Sequence, residues 1–144
     1  MLRECILLLY VVILIRLAIE DYRKRKICDK YNGWILILTG ISMMFDFGIT
    51  PVSRVFGMLV VSIPMSVIAI LKPGSFGGGD VKLSLTSGLF LGWKGVLRGT
   101  CYGIGFAAIY CIWLICVKKE NKNVQFALGP YLSAGYLLVT LNLI

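Results

Sequence analysis

The sequence predicts an all-α, polytopic membrane protein with about six transmembrane helices in a single domain, residues 1–144. Hydrophobic residues make up 58% of the chain and the mean hydropathy is +0.86, whereas soluble domains are roughly 45–50% apolar. The apolar residues form long runs, and about 20 such residues are enough to cross a bilayer as a helix. Charged residues make up only 15% of the chain and cluster between these runs, which argues against a soluble domain.

The first half of the chain contains three apolar segments. The first covers about 2–19, where Arg16 is close enough to the end to extend its charge to the interface. No small-residue cleavage site follows it, so we predict a retained span rather than a signal peptide. The second covers about 32–47, and the turn sequence at 48–51 separates it from the third, at about 52–71.

The second half of the chain contains three further apolar segments. Asp80 opens the fourth, which is short and ends near Gly92. The fifth covers about 96–117 and the sixth about 126–144. Small residues allow helix backbones to approach closely in membranes. Three glycines of the fifth segment predict such a contact: Gly99, Gly103 and Gly105.

The distribution of lysine and arginine predicts the orientation, because cytoplasmic connections carry more positive charge. One side holds ten of these residues: Arg23, Lys24, Arg25, Lys26, Lys30, Lys72, Lys82, Lys118, Lys119 and Lys122. The other side holds four: Arg3, Arg54, Lys94 and Arg98. This bias predicts that both termini lie outside the cell membrane and that Asp21 and Asp80 share the cytoplasmic side.

Composition excludes several kinds of function. The net charge is +8, but no basic stripe interleaved with aromatic residues points to nucleic acid. The chain has no histidine, which excludes a Ser-His-Asp triad, a Cys-His dyad and a His-ligated metal. Its five cysteines include no Cys-x-x-Cys pair and are predicted to pack as small apolar residues. We therefore expect no cofactor, no metal site and no nucleic-acid partner.

Two aspartates are the candidate functional residues. Asp21 ends the first apolar segment, and Asp80 follows the glycine run Gly77, Gly78 and Gly79 at the start of the fourth. A carboxylate at such a place is costly to ionise and is a functional-site hypothesis by default. Two adjacent carboxyls share a proton, so one can take a proton from water while the other donates to a carbonyl oxygen. The glycines can adopt positive φ and bring main chain close to a peptide.

Each of these features also has a simpler interpretation. Asp80 can be the N-cap of an ordinary helix, and Asp21, beside Arg23, Lys24 and Arg25, can be a charge partner in an interfacial loop. The basic residues at 23–26 are most simply determinants of topology. A small transporter or assembly scaffold, whose aspartates relay protons or bind cations, is the non-enzymatic alternative.

The motifs around both aspartates resemble those of the type IV prepilin peptidases, membrane aspartic peptidases of the GxGD class. The stretch 20–27 is similar to the family's first motif, and 77–83, which reads GGGDVKL, is similar to the second. The stretches 89–94 and 126–132 resemble the continuation of that helix and the Phe-Gly-Pro start of the last span. The likeness covers essentially the whole chain.

The resemblance implies a fold, a site and a substrate. It implies a GxGD-peptidase-like helical bundle that removes the basic leader of prepilin-like membrane proteins at the cytoplasmic face. It assigns catalysis to Asp21 and Asp80, and the substrate-backbone motif to Gly77, Gly78 and Gly79. The residues that it marks as supporting are Arg23, Lys82, Gly129 and Pro130. General intramembrane proteolysis of the presenilin type remains a second enzymatic interpretation.

Two departures from the family pattern qualify this expectation. Cys28 stands where the family commonly has proline, which affects the local turn but removes no catalytic group. The chain also lacks the N-terminal extension with a four-cysteine metal site that is associated with N-methylation. We therefore expect peptidase activity alone.

Overall fold

The computed structural model describes residues 1–24, 29–45, 48–117 and 128–143. These residues form five α-helices, in agreement with the predicted all-α class. The helices are α1 (Leu2–Lys24), α2 (Asp29–Met44), α3 (Pro51–Leu71), α4 (Gly78–Val117) and α5 (Gly129–Leu141). Cys28, the basic residues 25–26 and the Phe126–Ala127 part of the predicted last motif lie outside the described residues.

A break at Gly92 divides α4 into a first arm, 78–91, and a second arm, 93–117. Gly92 has φ 73° and ψ 175°, a conformation that only glycine adopts without strain. The sequence predicted a boundary here between its fourth and fifth segments. The described residues thus form five helices, and the two arms of α4 on either side of the non-helical Gly92 correspond to the predicted fourth and fifth segments.

The two arms of α4 form an acute bend. Ser84 precedes Gly92 by eight residues and Thr100 follows it by eight, which corresponds to about 12 Å of helix on either side. The hydroxyl oxygens of both residues nevertheless lie 3.0 Å from one atom, the phenol oxygen of Tyr136 on α5. The second arm therefore folds back beside the first, with α5 packed against it.

Arg54 on α3 caps the first arm of α4. Its side chain is 2% exposed, and Nη1 donates to the carbonyl oxygens of Leu89 and Phe90 at 3.0 and 3.4 Å and to Ser42 Oγ at 3.0 Å. The break at Gly92 leaves carbonyls of this last turn without partners in the helix, and a cation is favoured at a helix C-terminus. Arg54 was counted only as a positive charge on the non-cytoplasmic side, and its burial inside the bundle was not predicted.

The helices turn polar side chains inward and many large apolar side chains outward. The buried polar residues include Asn32, Thr39, Ser42, Ser62, Ser84, Ser87, Thr100, Ser133 and Thr140, beside an apolar core formed by all five helices. Exposed apolar residues occur along every helix, and such surfaces mark contact with lipid or with another protein. Two helices of the described chain, Pro51–Leu71 and Gly78–Cys116, are long and apolar enough to cross a membrane.

Glycines allow close contact between neighbouring helices. A Cβ atom on Gly57 of α3 would lie 2.5 Å from the carbonyl oxygen of Gly88 on α4, so these two backbones touch. A Cβ atom on Gly103 would lie 2.8 Å from the Cα atom of Leu132 on α5. The predicted close contacts are thus confirmed at Gly103 and, against Tyr136, at Gly99. The prediction was wrong at Gly105, which has open space around it.

Candidate active site

Contacts of side chains relate α1, which carries Asp21, to the first arm of α4, which carries Asp80. The rings of Tyr10 and Phe90 stack with their centroids 4.2 Å apart. From Tyr10 to Asp21 the helix rises about 16 Å, and from Phe90 back to Asp80 about 15 Å. The two aspartates thus lie at similar distances along their helices from this stack, and the charge of Asp21 acts on Asp80, which places the carboxyls within electrostatic reach of each other.

The glycine run places Asp80 in the first turn of α4. Gly77 precedes the helix as its N-cap, since its carbonyl oxygen accepts from the N–H groups of Asp80 and Val81 at 3.0 and 3.3 Å. The N–H of Gly77 in turn donates to Asp80 Oδ2 at 3.2 Å, the reciprocal bond of a capping box. The interpretation of Asp80 itself as the N-cap is therefore wrong. The positive φ angles expected at the glycine run are not observed, because in the described chain these occur at Gly48, Gly74 and Gly92.

Asp21 lies in the last turn of α1, which continues to Lys24, and not in a loop. Its residue is 4% exposed, and none of the ion pairs in the described part of the chain includes it. The predicted loop placement is therefore wrong, and Lys24 pairs with Glu20 instead. Arg25 lies outside the described residues, so an ion pair between it and Asp21 stays a prediction. The backbone N–H of Gly129, the first residue of α5, acts as a hydrogen-bond donor to the Asp21 carboxyl.

The electrostatics of the pair follow from burial and from these two amides. Asp80 opens the fourth apolar segment just before the exposed ammonium of Lys82, and Asp21 follows the apolar segment 2–19, so both carboxyls lie at the ends of apolar stretches. The pKa of Asp80 is raised to about 6, mainly by burial; the N–H of Gly77 opposes this shift and the charge of Asp21 adds to it. Burial also raises the pKa of Asp21, and the N–H of Gly129 opposes that shift. The N-termini of α4 and α5 thus each direct one donor at one carboxyl.

Of the other predicted site residues, some lie in the helix turns beside the carboxyls and the others are exposed. Gly78 and Gly79 are in the first turn of α4 and Pro130 is in the first turn of α5, beside the residues that contact the carboxyls. Lys82 is exposed and binds Asp29 at the start of α2, with Nζ 2.8 and 2.9 Å from its two carboxylate oxygens. Arg23 is exposed and two positions beyond Asp21, which places it on a different face of α1.

Sequence reasoning missed several residues that shape this region. Asp29, the partner of Lys82, falls in a charged stretch that gave no separate signal. Tyr136 and Arg54 are buried in the bundle and make the contacts across α4 described above. An arginine within an apolar segment was the one available signal for Arg54, because such a residue requires polar partners.

The described residues contain no group of three or more Cys, Asp or Glu side chains that could hold a metal ion. What the fold does provide is a pair of buried carboxyls, each with one amide donor. Such a pair can hold a single proton between its members, which is the condition for activating a water molecule. The arrangement is therefore the kind found in aspartic peptidases.

Comparison with known protein families gives the same class. The model of the type IV leader peptidase family matches residues 8–117, a range that includes both aspartates and more than half of the chain. The chain therefore belongs to the type IV leader peptidase family, which confirms the resemblance to prepilin peptidases. Searches of curated proteins and of solved structures found no significant match. Membership in this family identifies a leader peptidase in general, a membrane-associated hydrolase that acts on peptide bonds.

Proposed function

We propose that the protein is an aspartic endopeptidase that removes the basic leader of prepilin-like precursors, with Asp21 and Asp80 as the catalytic pair. The observation that carries this proposal is the meeting of the two carboxyls at one end of the bundle, each beside the N-terminus of a helix. At each of the two carboxyls, the ionised form is stabilised by one amide N–H and destabilised by burial. This balance keeps the pair in a range where one proton can be shared.

The reaction follows from that sharing. The ionised carboxyl takes a proton from water, and the oxygen of that water attacks the carbonyl carbon of the scissile peptide bond. The protonated carboxyl donates its proton to the carbonyl oxygen, which gives a neutral tetrahedral intermediate. When the C–N bond breaks, the carboxyl that took the proton from water gives it to the leaving amine. The other carboxyl takes a proton from a hydroxyl of the intermediate as the new C=O forms, and the pair again holds one proton. The two carboxyls titrate as a unit, so neither is assigned the role of base.

We further propose that all six apolar segments lie in the cell membrane, with the two arms of α4 as separate spans. The acute bend at Gly92 supports this, because it allows the two arms of α4 to lie side by side and run in opposite directions across the membrane. The lysine and arginine bias supports a cytoplasmic site and outer termini. A reporter that is active only outside the membrane, fused after residue 144, should be active; activity of a cytoplasmic reporter at that position would contradict this orientation.

Cleavage of a synthetic substrate tests the proposed reaction. The substrate is a peptide with a basic leader, a glycine and a long apolar helix, and product is separated on a gel. We expect Asp21→Asn and Asp80→Asn each to abolish cleavage in detergent micelles while the folded protein remains. Asp29→Asn is the matched control, because this exposed aspartate makes only a surface ion pair, of about 0–1 kcal/mol. Unchanged cleavage by either folded variant of the pair would refute the proposal.

A further inference from the structure

The buried hydroxyl of Tyr136 connects the two arms of α4. Tyr136 Oη donates to Ser84 Oγ on the first arm at 3.0 Å, and it lies 3.0 Å from Thr100 Oγ1 on the second arm. The hydroxyl of Ser84 in turn donates a hydrogen bond to the sulfur of Met65 on α3, at 3.4 Å. Because the phenol has only one proton to give, the hydroxyl of Thr100 is the donor to Tyr136, and all four groups form one directed chain.

The position of this chain relates it to the carboxyl pair. Ser84 is one helical turn after Asp80, on the same face of the first arm. The ring of Tyr136 is fully buried and packs against Gly99, where a Cβ atom would overlap it. Tyr136 also belongs to α5, whose first residue, Gly129, donates to Asp21. A single side chain thus joins the helix that carries Asp80 to the helix that contacts Asp21.

We propose that Tyr136 is a positioning residue, which sets the angle between the two arms of α4 and thereby the placement of Asp80 relative to Asp21. The hinge at Gly92 has no side chain of its own to fix this angle, and Arg54 holds only the end of the first arm. The hydrogen bonds of Tyr136 close the open side of the bend. Misplacement of a catalytic group by about 1 Å can lower the rate about 100-fold, so the closure has a measurable effect on turnover.

The test rests on the proposed peptidase function and uses the full-length protein with the same synthetic substrate. Tyr136→Phe removes the hydroxyl and keeps the ring, and Thr100→Val removes the bond at the far arm, eight residues beyond the hinge. We expect each variant to lower kcat by about tenfold or more with KM changed less than about twofold. The double variant should be no worse than either single one, because both break the same connection.

Thr140→Val is the matched control. Thr140 is as deeply buried as Tyr136, but its hydroxyl donates to a carbonyl of its own helix, that of Tyr136, at 2.8 Å. It should keep the kcat of the unmodified protein. Wild-type kcat in Tyr136→Phe or Thr100→Val, a kcat loss as large in Thr140→Val, or multiplied losses in the double variant would overturn the inference. Absence of cleavage by the unmodified protein would instead refute the proposed function. Should Tyr136→Phe not fold, Thr100→Val and the control decide.

Discussion

Gly77 and Gly129 have corresponding roles at the two carboxyls. Each is a glycine at the start of a helix, and its N–H is one of the donors that the helix itself cannot use. One N–H donates to Asp80 and the other to Asp21. The absence of a side chain has a direct effect at Gly77, where a Cβ atom would lie 3.1 Å from Asp80 Oδ2. The glycine there leaves room for the carboxyl.

A matched pair of alanine substitutions tests this role of Gly77. In Gly77→Ala the new methyl group crowds the Asp80 carboxyl, so we expect the rate of leader cleavage to fall about tenfold, with the fold retained. In Gly78→Ala the methyl group enters open space, and the rate should stay within about twofold. Both rates are measured with the synthetic substrate. Equal rates in the two variants would show that the space beside Asp80 is unimportant.

The charge of Asp21 is expected to be visible in the titration of Asp80. Asp21→Asn removes a negative neighbour, so the pKa of Asp80 should fall from about 6. It should remain above the ordinary value of about 3.9, because burial, the larger cause, persists. Infrared difference spectra of the protonated carboxyl band, measured against pH, report this value without any need for activity. Asp80→Asn identifies the band, and an unchanged or higher pKa would contradict close contact.

The sequence was sufficient to find both aspartates, because acidic residues are rare in this chain and these two lie at the edges of apolar segments. It did not reveal how they are held. A loop position for Asp21 and an N-cap position for Asp80 were left open as alternatives, whereas both residues lie within helical turns. Only Asp80 has its donor nearby in the sequence, since Gly77 is three positions before it. The Gly129 contact joins residues more than 100 positions apart, and local patterns contain no such information.

At the scale of helices, the break in α4 depends on two residues. Gly92 adopts the left-handed φ angle, and a Cβ atom there would lie 2.8 Å from Ser53 Oγ and 2.9 Å from Ile49 Cγ2. Arg54 compensates for the interruption of the helix, because its guanidinium donates to the carbonyl oxygens of Leu89 and Phe90. Among the described residues no carboxylate forms an ion pair with Arg54. A buried cation needs polar partners, and the two carbonyls and the hydroxyl of Ser42 serve as such partners.

Removal of the Arg54 guanidinium should destabilise the bundle. Arg54→Met keeps much of the apolar stem but leaves two carbonyls without a donor, so we expect a loss of about 1–3 kcal/mol in the free energy of unfolding. Arg98→Met is the control, because Arg98 is exposed on the second arm; its change should stay within about 0.5 kcal/mol. Denaturant unfolding in micelles measures both. Equal stability of the two variants would contradict the capping role.

Sequence periodicity gave the helical class and the approximate helix ends, since apolar runs and turn residues are local signals. It predicted a boundary at Gly92, but it did not predict the contact of Tyr136 with both arms that closes the bend. The last helix starts at Gly129, three residues later than predicted, and Leu128 precedes it as N-cap. The burial of Arg54 depends on carbonyls 35 and 36 positions away, so local sequence patterns could not predict it.

At the scale of the whole molecule, the distribution of polarity is inverted relative to a soluble protein. Serines, threonines and both aspartates face the interior, while the outer surface is rich in leucine, isoleucine and valine. A bundle of this kind is stable where its surroundings are apolar, and its polar interior needs hydrogen bonds between helices. The carboxyl pair lies at one end of that interior, which is the arrangement expected for water-dependent chemistry beside a membrane.

The most direct test of the account is the proximity of positions 21 and 80. In a variant whose five native cysteines are replaced by alanine, Asp21→Cys and Asp80→Cys are combined and treated with a short bifunctional thiol reagent. The control combines Asp21→Cys with Trp93→Cys, an exposed position beyond the far end of the first arm. We predict an intramolecular cross-link in the first protein and little in the second. A first pair that cross-links no better than the control pair would contradict the shared site.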